Sequence, residues 1–347
     1  MNAWLIRSGQ FGERDAWALE NSLAGGGWTQ VPSLEGCNTR EEISDLLINT
    51  YLGEKPAAIR NYVNQLWALK GRVKVGDIVV MPMKSTRTIA IGRCISEYLY
   101  ISDGQASERH AVKVKWEKTD IARSAIKEDL LFSLGAFLTV CNIKRNDAVW
   151  RLDQTLLTGS DPGSRQASGQ KVSVSEEEED IEIVGQNVDV ESVARDSIRA
   201  FLLENFLSTQ LEELVSEILV AHGYLCNATK RSGDAGIDII AGRGTLGLDS
   251  PRIVAQCKSE KSQVGIDVVT RLRGTIQSAG AEQGLLVAYG GITRQAQTEL
   301  EKNLFSIKVW NADDVVDELF AVYAKLSSEM RSRIPLKQVW TLVPKSE

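Results

Sequence analysis

The chain has 347 residues, 43% hydrophobic and 25% charged, enough for two ordinary globular domains and too apolar for a wholly disordered polypeptide. Its 40 Lys and Arg against 46 Asp and Glu leave a formal charge of −6, which as a whole-chain figure argues against a strongly basic nucleic-acid coat protein. No run approaches the ~18 apolar residues of a membrane-spanning helix, and the five scattered Cys, without a C-x-x-C pair, exclude a disulfide framework or a zinc knuckle.

At the N-terminus, Arg7 and Glu13 stand where a secretory leader needs an apolar core, so a reducing, cytoplasmic setting is expected. Strands are predicted over Ala3–Arg7, Ile78–Pro82, Ile89–Ile95 and the alternating Ala111–Trp116. Helical periodicity covers Arg40–Tyr51 and Ala57–Leu69.

Residues 158–196 are first Gly/Ser/Gln-rich and then acidic, with five carboxylates in a row from Glu176 to Asp180. Such a stretch buries too little apolar surface to offset its ordering entropy, so 153–196 reads as a flexible acidic linker. It is a solvated tether or, alternatively, a phosphate mimic that DNA displaces from a basic groove. Counted by segment, 1–152 carries 20 basic and 17 acidic residues, 153–196 carries 3 and 11, and 197–347 carries 17 and 18. The acidity belongs to the linker, and the argument against DNA weakens accordingly.

Beyond it, Asp196–Gly223 is helical. Strands at Ile237–Ala241, Ile253–Lys258, Gly284–Tyr289 and Phe305–Trp310 alternate with helices at Ile266–Ala279, Thr293–Asn303 and Ala312–Lys325. That rhythm predicts an α/β sheet with a parallel part.

Polar residues interrupt this sheet where they are costly. Asp238 falls inside Ile237–Ile240, and Gln256 and Lys258 flank Cys257 at the end of an apolar strand, pointing to one face. A cation and a phosphate would account for all three; a buried polar network without activity is the alternative. On a helical wheel from Leu211, the residues Leu214, Val215, Ile218, Leu219 and His222 form the buried stripe. Glu212 lies on its edge, leaning over the sheet, while Glu213 and Glu217 face water. With only His110 and His222 in the chain, a His-rich metal site or His-based triad is improbable, so metal chemistry must use carboxylates. Cys257 reads as a small core residue.

Five blocks in order, LEELVSEILVAHGY, TKRSGDAGIDIIA, IVAQCK, VGIDVV and GLLVAYGGITRQA, resemble the Mrr-type restriction endonuclease domain of the PD-(D/E)xK nuclease superfamily. Leu211 stands where that family usually has Phe. The resemblance implies a mixed sheet flanked by helices, with the family's helix glutamate at Glu212, its sheet aspartate at Asp238 and its Q-x-K at Gln256 and Lys258. Asp234 matches the acidic residue of the preceding turn, though between glycines it also serves as a plain turn former. A metal, Mg²⁺ with Mn²⁺ as substitute, would be held by Asp238, Gln256, Glu212 and the Cys257 carbonyl. Lys258 would orient the attacking water or stabilise the developing charge. On the following helix, Arg271 and Arg273 are candidate phosphate contacts or exposed solubilising charges.

The N-terminal segment, with WLIRSGQFGERD, VGDIVVMP, IAIGR and HAVKVKW, resembles the region ahead of Mrr-type domains in predicted restriction proteins. On shorter blocks it is similar to PUA/EVE-like β-barrels, some of which hold a flipped modified base. This implies an α+β domain over 1–152 that recognises a DNA feature. Trp4 and Trp116 are the first candidates for base-reading aromatics, and Arg7, Arg87, Arg93, Lys113 and Lys115 for a modest basic surface; core packing and scattered solvated charge are the alternatives. The catalytic domain is expected over 197–330, with 331–347 a C-terminal extension. Together these imply a metal-dependent DNA endonuclease of the modification-dependent, type IV-like kind, acting in phage defence as a homodimer or higher oligomer. The alternatives are a junction resolvase or repair nuclease, and a sensor with a silent nuclease fold.

Overall fold

The computed structural model describes residues 1–135, 138–165, 189–228, 236–260, 262–302 and 305–340. The chain divides into two compact units, Met1–Asp196 and Ser197–Leu342, each with its own core.

The first unit is α+β. Its strands are β1 (Ala3–Ile6), β2 (Leu23–Gly25), β3 (Ile78–Pro82), β4 (Thr88–Cys94), β5 (Leu99–Tyr100), β6 (His110–Ala122) and β7 (Val140–Asn142). They are ordered β2-β6-β4-β3-β1-β7, with β5 added beside β6. β1 and β3 are parallel, and the other pairs are antiparallel. All five residues of β3 are buried, as a strand covered on both faces requires. The helices are α1 (Asp15–Glu20), α2 (Arg40–Thr50), α3 (Pro56–Trp67), α4 (Glu128–Leu134) and α5 (Ala148–Thr158). Thr39 starts α2 with a capping box, accepting from Glu42 N–H while the Glu42 carboxylate accepts from Thr39 N–H. Pro56 opens α3 at a position where its missing N–H costs nothing.

The expected linker is narrower than 153–196. Helix α5 runs to Thr158, and Asp161 beyond it accepts from the buried Arg151 guanidinium and from Lys127 N–H. At the other end Asp189 is bound by Lys84 Nζ at 2.5 Å, and Asp196 is clasped by Arg123. Acidic composition alone concealed these partners, three of which lie 34 to 105 residues away in sequence. Glu176–Asp180 lies outside the described residues.

Helix α6 (Val190–Asn205) carries the boundary between the units. In the second unit, strands β8 (Leu225–Ala228), β9 (Ile239–Arg243), β10 (Asp249–Lys258), β11 (Gln283–Ala288) and β12 (Ile307–Trp310) are ordered β12-β11-β10-β9-β8. β10, β11 and β12 are parallel; β9 and β8 join antiparallel. The helices are α7 (Thr209–Ala221), α8 (Ile266–Ser278), α9 (Arg294–Glu301), α10 (Ala312–Val322) and α11 (Ser328–Arg333).

Alternation along β10 creates two cores. Ile253 and Ala255 pack with Leu214, Ile218 and Leu319 from α7 and α10. Val254 packs with Val269, Leu272 and Leu300 from α8 and α9. The C-terminal extension, expected from 331, joins the first of these cores: Ile334 is fully buried, and Tyr323 Oη donates to its carbonyl at 2.7 Å. Among the described residues no helix is long and apolar enough to cross a membrane.

Candidate active site

The site lies where β10 runs past the start of β9. Asp238 precedes β9 rather than sitting within the strand predicted over Ile237–Ala241. Its N–H donates to Ala255 O at 2.9 Å, and its Oδ2 accepts the Cys257 N–H at 2.7 Å. The carboxylate thus takes over the ladder position that a backbone carbonyl would fill. This answers how a charge is tolerated next to an apolar strand: it stands half-exposed at the strand end and is hydrogen-bonded. A strand residue turns its N–H and C=O to the same edge, so the Cys257 carbonyl also faces the Asp238 side.

The other members arrive from two faces. Gln256 and Lys258 are in phase with Val254, on the α8/α9 side. Gln256 is only 3% exposed, while Lys258 is half-buried. Gly236 closes against the Gln256 amide: a Cβ there would lie 2.7 Å from Nε2, and its φ of +64° also favours glycine. Glu212, in the first turn of α7, is half-buried on the opposite side, with Cys257. Cys257 is where their fields converge. Burial pushes its thiol well above the ordinary range, Asp238 and Glu212 push it further, and Lys258 pulls it back. A thiol held protonated in this way is a spacer in the site and not a nucleophile.

Tyr289 was not singled out in the sequence. It ends the run Gly284–Ala288, donates its N–H to Lys258 O at 2.9 Å, and is 2% exposed with its hydroxyl unpartnered among the described residues. A polar-tipped aromatic closing an apolar strand beside the Q-x-K strand was the available signal.

Among the described residues no group of three or more His, Cys, Asp or Glu side chains is placed to hold a metal ion. Asp238 and Glu212, both acting on Cys257, and the Cys257 carbonyl would supply hard oxygen donors. That chemistry fits a divalent cation which keeps several of its waters, and does not fit a closed protein cage.

Other predicted residues are placed differently. His222 is not on the buried stripe. It is exposed at the end of α7, with Nε2 2.8 Å from Glu318 Oε2, because the helix ends at Ala221 and the chain turns outward. Glu213 and Glu217 are more than a solvated face: Glu213 binds Arg333 at 2.8 Å and Glu217 accepts Ser327 N–H, so both fasten the α11 region. Arg271 is exposed, 3.9 Å from Asp267, and Arg273 pairs with Glu299 at 2.8 Å. Asp234 lies outside the described residues.

In the first unit, Trp4 is 1% exposed and donates Nε1–H to Asp77 Oδ2 at 2.9 Å, a core role that leaves no face for a base. Trp116 is half-buried, with Nε1 donating to Ala18 O. Lys113 and Lys115 project from the exposed face of β6. Arg7 is buried and Arg93 is bound to Glu117 and Asp153, so neither adds to a basic surface.

Residues 203–319 match the model of the Mrr catalytic family, described as restriction endonuclease. Residues 4–133 match a domain of unknown function. None of the curated proteins compared with the chain matches it. Among solved structures the chain is similar to a protein of unknown function, AF1548, at 14% identity over 31% of this chain and 64% of that one, with a TM-score of 0.25. It thus spans less than two thirds of that protein. It is also similar to AspBHI, a DNA modification-dependent restriction endonuclease, at 16% identity over 82% of this chain and 74% of that one, with a TM-score of 0.32. For MspJI, a restriction endonuclease solved in complex with a 27-mer oligonucleotide, the figures are 14%, 96%, 79% and 0.31. On the family match, the second unit carries an Mrr-type restriction endonuclease domain.

Proposed function

We propose that the protein is a metal-dependent DNA endonuclease of the modification-dependent kind, with the first unit recognising a DNA feature and the second hydrolysing the phosphodiester. The observation that carries the reading is the convergence of Asp238, Glu212 and Lys258 on Cys257 at the end of β10. When bound there, a divalent cation such as Mg²⁺ or Mn²⁺ supplies Lewis-acid polarisation of the scissile phosphate and lowers the pKa of water. Asp238 and Glu212 hold negative charge where that cation belongs, and the Cys257 carbonyl adds a neutral oxygen. Lys258 offers a cation to the phosphate oxygens, whose charge grows in the transition state. Gln256, wedged against Gly236, fixes the strand end and offers a neutral amide oxygen where a carboxylate would carry charge.

In this reading Arg271, Lys113 and Lys115 contact phosphates, and Arg273 does so after release from Glu299. Cutting both strands with one site per chain calls for a homodimer or larger assembly, and restriction of modified phage DNA in the cytoplasm is the biological setting. A digest of phage DNA with modified bases beside its unmodified counterpart, with Mg²⁺ present, tests this. The expected outcome is cleavage of the modified DNA only. Cleavage of branched junctions alone would replace the reading with a resolvase, and no cleavage of any DNA would leave a silent nuclease fold.

A further inference from the structure

At the far end of the catalytic sheet is an open cleft of about 490 Å³ whose residues play no part in the site at the end of β10. Its floor is apolar, made by Leu219 of α7, Ile253 of β10 and Leu285 of β11. Three aromatic residues surround this floor. Trp310 forms a wall and is nearly buried. Tyr224 carries the Arg243 guanidinium 4.9 Å above its ring. Phe305 stands at the mouth, 94% exposed among the described residues, beside the apolar floor.

The cleft's lining carries a net positive charge. Among its lining residues one carboxylate, Glu318, hydrogen-bonded to His222 at 2.8 Å, faces two cations. Arg243 and Lys308, both exposed, enter no ion pair among the described residues. Ligand sites of this size are typically apolar clefts with a few convergent polar groups. Aromatic rings that stack a base, next to cations that take a phosphate, match a nucleotide.

We infer that this cleft is a second binding site, distinct from the catalytic one, for a nucleotide whose base stacks on Phe305 and Tyr224 and whose phosphate meets Arg243 and Lys308. The nucleotide is either a free mononucleotide or one unit of a single DNA strand. Its elements run straight to the catalytic end: α7 carries Leu219 at one end and Glu212 at the other, and β10 carries Ile253 and then Cys257. Occupancy of the cleft therefore bears on the same helix and strand that position the catalytic groups.

Isothermal titration of the full chain with adenosine monophosphate, guanosine monophosphate, adenosine, inorganic phosphate and a five-nucleotide single strand tests the inference. A nucleotide or the short strand should bind saturably, one per chain, and at least tenfold tighter than adenosine or phosphate alone. Monophosphate binding points to a free effector, and strand binding without monophosphate binding points to DNA. Phe305→Ser and Arg243→Glu, both at exposed positions, should each weaken binding about tenfold or more. Absence of saturable binding, equal binding of phosphate alone, or wild-type binding by both cleft variants overturns the proposal. Cleavage is read in a separate digest, so failure of the nuclease reading would be seen independently.

Discussion

Two clusters of charged groups, one in each unit, are held in different ways. In the first unit the Arg151 guanidinium is fully buried, and its nitrogens reach Asp129 at 2.7 and 2.8 Å and Asp161 at 2.6 and 2.8 Å. Opposite charges alternate there, and both carboxyls are held below their usual range by Arg151 despite burial of Asp161. At the end of β10 two carboxylates, Asp238 and Glu212, and one lysine, Lys258, act on the Cys257 thiol from two faces of the sheet, and Asp238 Oδ2 takes the Cys257 N–H at 2.7 Å. The first arrangement locks charges on one another and holds a fold together, whereas titratable groups gathered from several elements at the end of a sheet are the pattern of a functional site.

The comparison is sharpened by substitutions on each side. Lys258→Ala should reduce DNA cleavage on the order of 10²–10³-fold, as loss of a charge-stabilising donor does, with little change in melting temperature. Arg151→Met should do the reverse, removing about 3–5 kcal/mol of stability by leaving two carboxylates without their partner; chemical denaturation measures it. An Arg151 variant as stable as the parent would break the contrast.

A smaller effect is expected from pH. His110 is fully buried. Tyr98 Oη accepts from Leu34 N–H, so its own proton goes to His110 Nδ1 at 2.8 Å, and Nε2 serves Val31 O. Burial pulls the imidazole down to about 4. Between its unfolded value near 6.5 and about 4, the unfolded chain binds a proton that the folded chain does not. The stability this neutral histidine confers is present above about pH 6.5 and is lost as pH falls through that window, on the order of 3 kcal/mol. Thermal melts from pH 7 to 4.5 should show a steeper loss in the parent than in His110→Gln.

Trp4→Phe should cost about 1 kcal/mol through the indole bond to Asp77, without changing DNA affinity. Selective loss of modified-DNA binding in that variant would restore Trp4 as a reader. The smallest effect belongs to Glu213→Ala, which breaks an exposed pair with Arg333 worth a few tenths of a kcal/mol.

Much of this was legible in the sequence where a period runs long enough. The stripe of α7 from Leu211 to Leu219 and the strands at Ile78–Pro82 and Ile253–Lys258 carry their burial in their spacing. The three-residue β2 and β7 do not, since three residues cannot display a period. Asp238, Gln256 and Lys258 stood out because each is costly among its apolar neighbours. Their division between two faces of the sheet, with Glu212 opposite Lys258, depends on which helices cover which side, and that is a tertiary fact. Trp4 shows the converse: an indole on a strand near the N-terminus looks like a stacking platform until Asp77, 73 residues away, takes its N–H. His222 was misplaced because the wheel was extended one residue past the end of the helix.

The most direct test of the central claim is plasmid cleavage by Asp238→Asn beside the parent chain, in Mg²⁺ and on modified DNA, with the melting temperature of both recorded. Replacing that carboxylate removes a candidate cation ligand while keeping a side-chain oxygen for the Cys257 N–H. Cleavage should therefore fall by two orders of magnitude or more while the melting temperature holds. Cleavage at the parental rate by the folded variant would contradict the account.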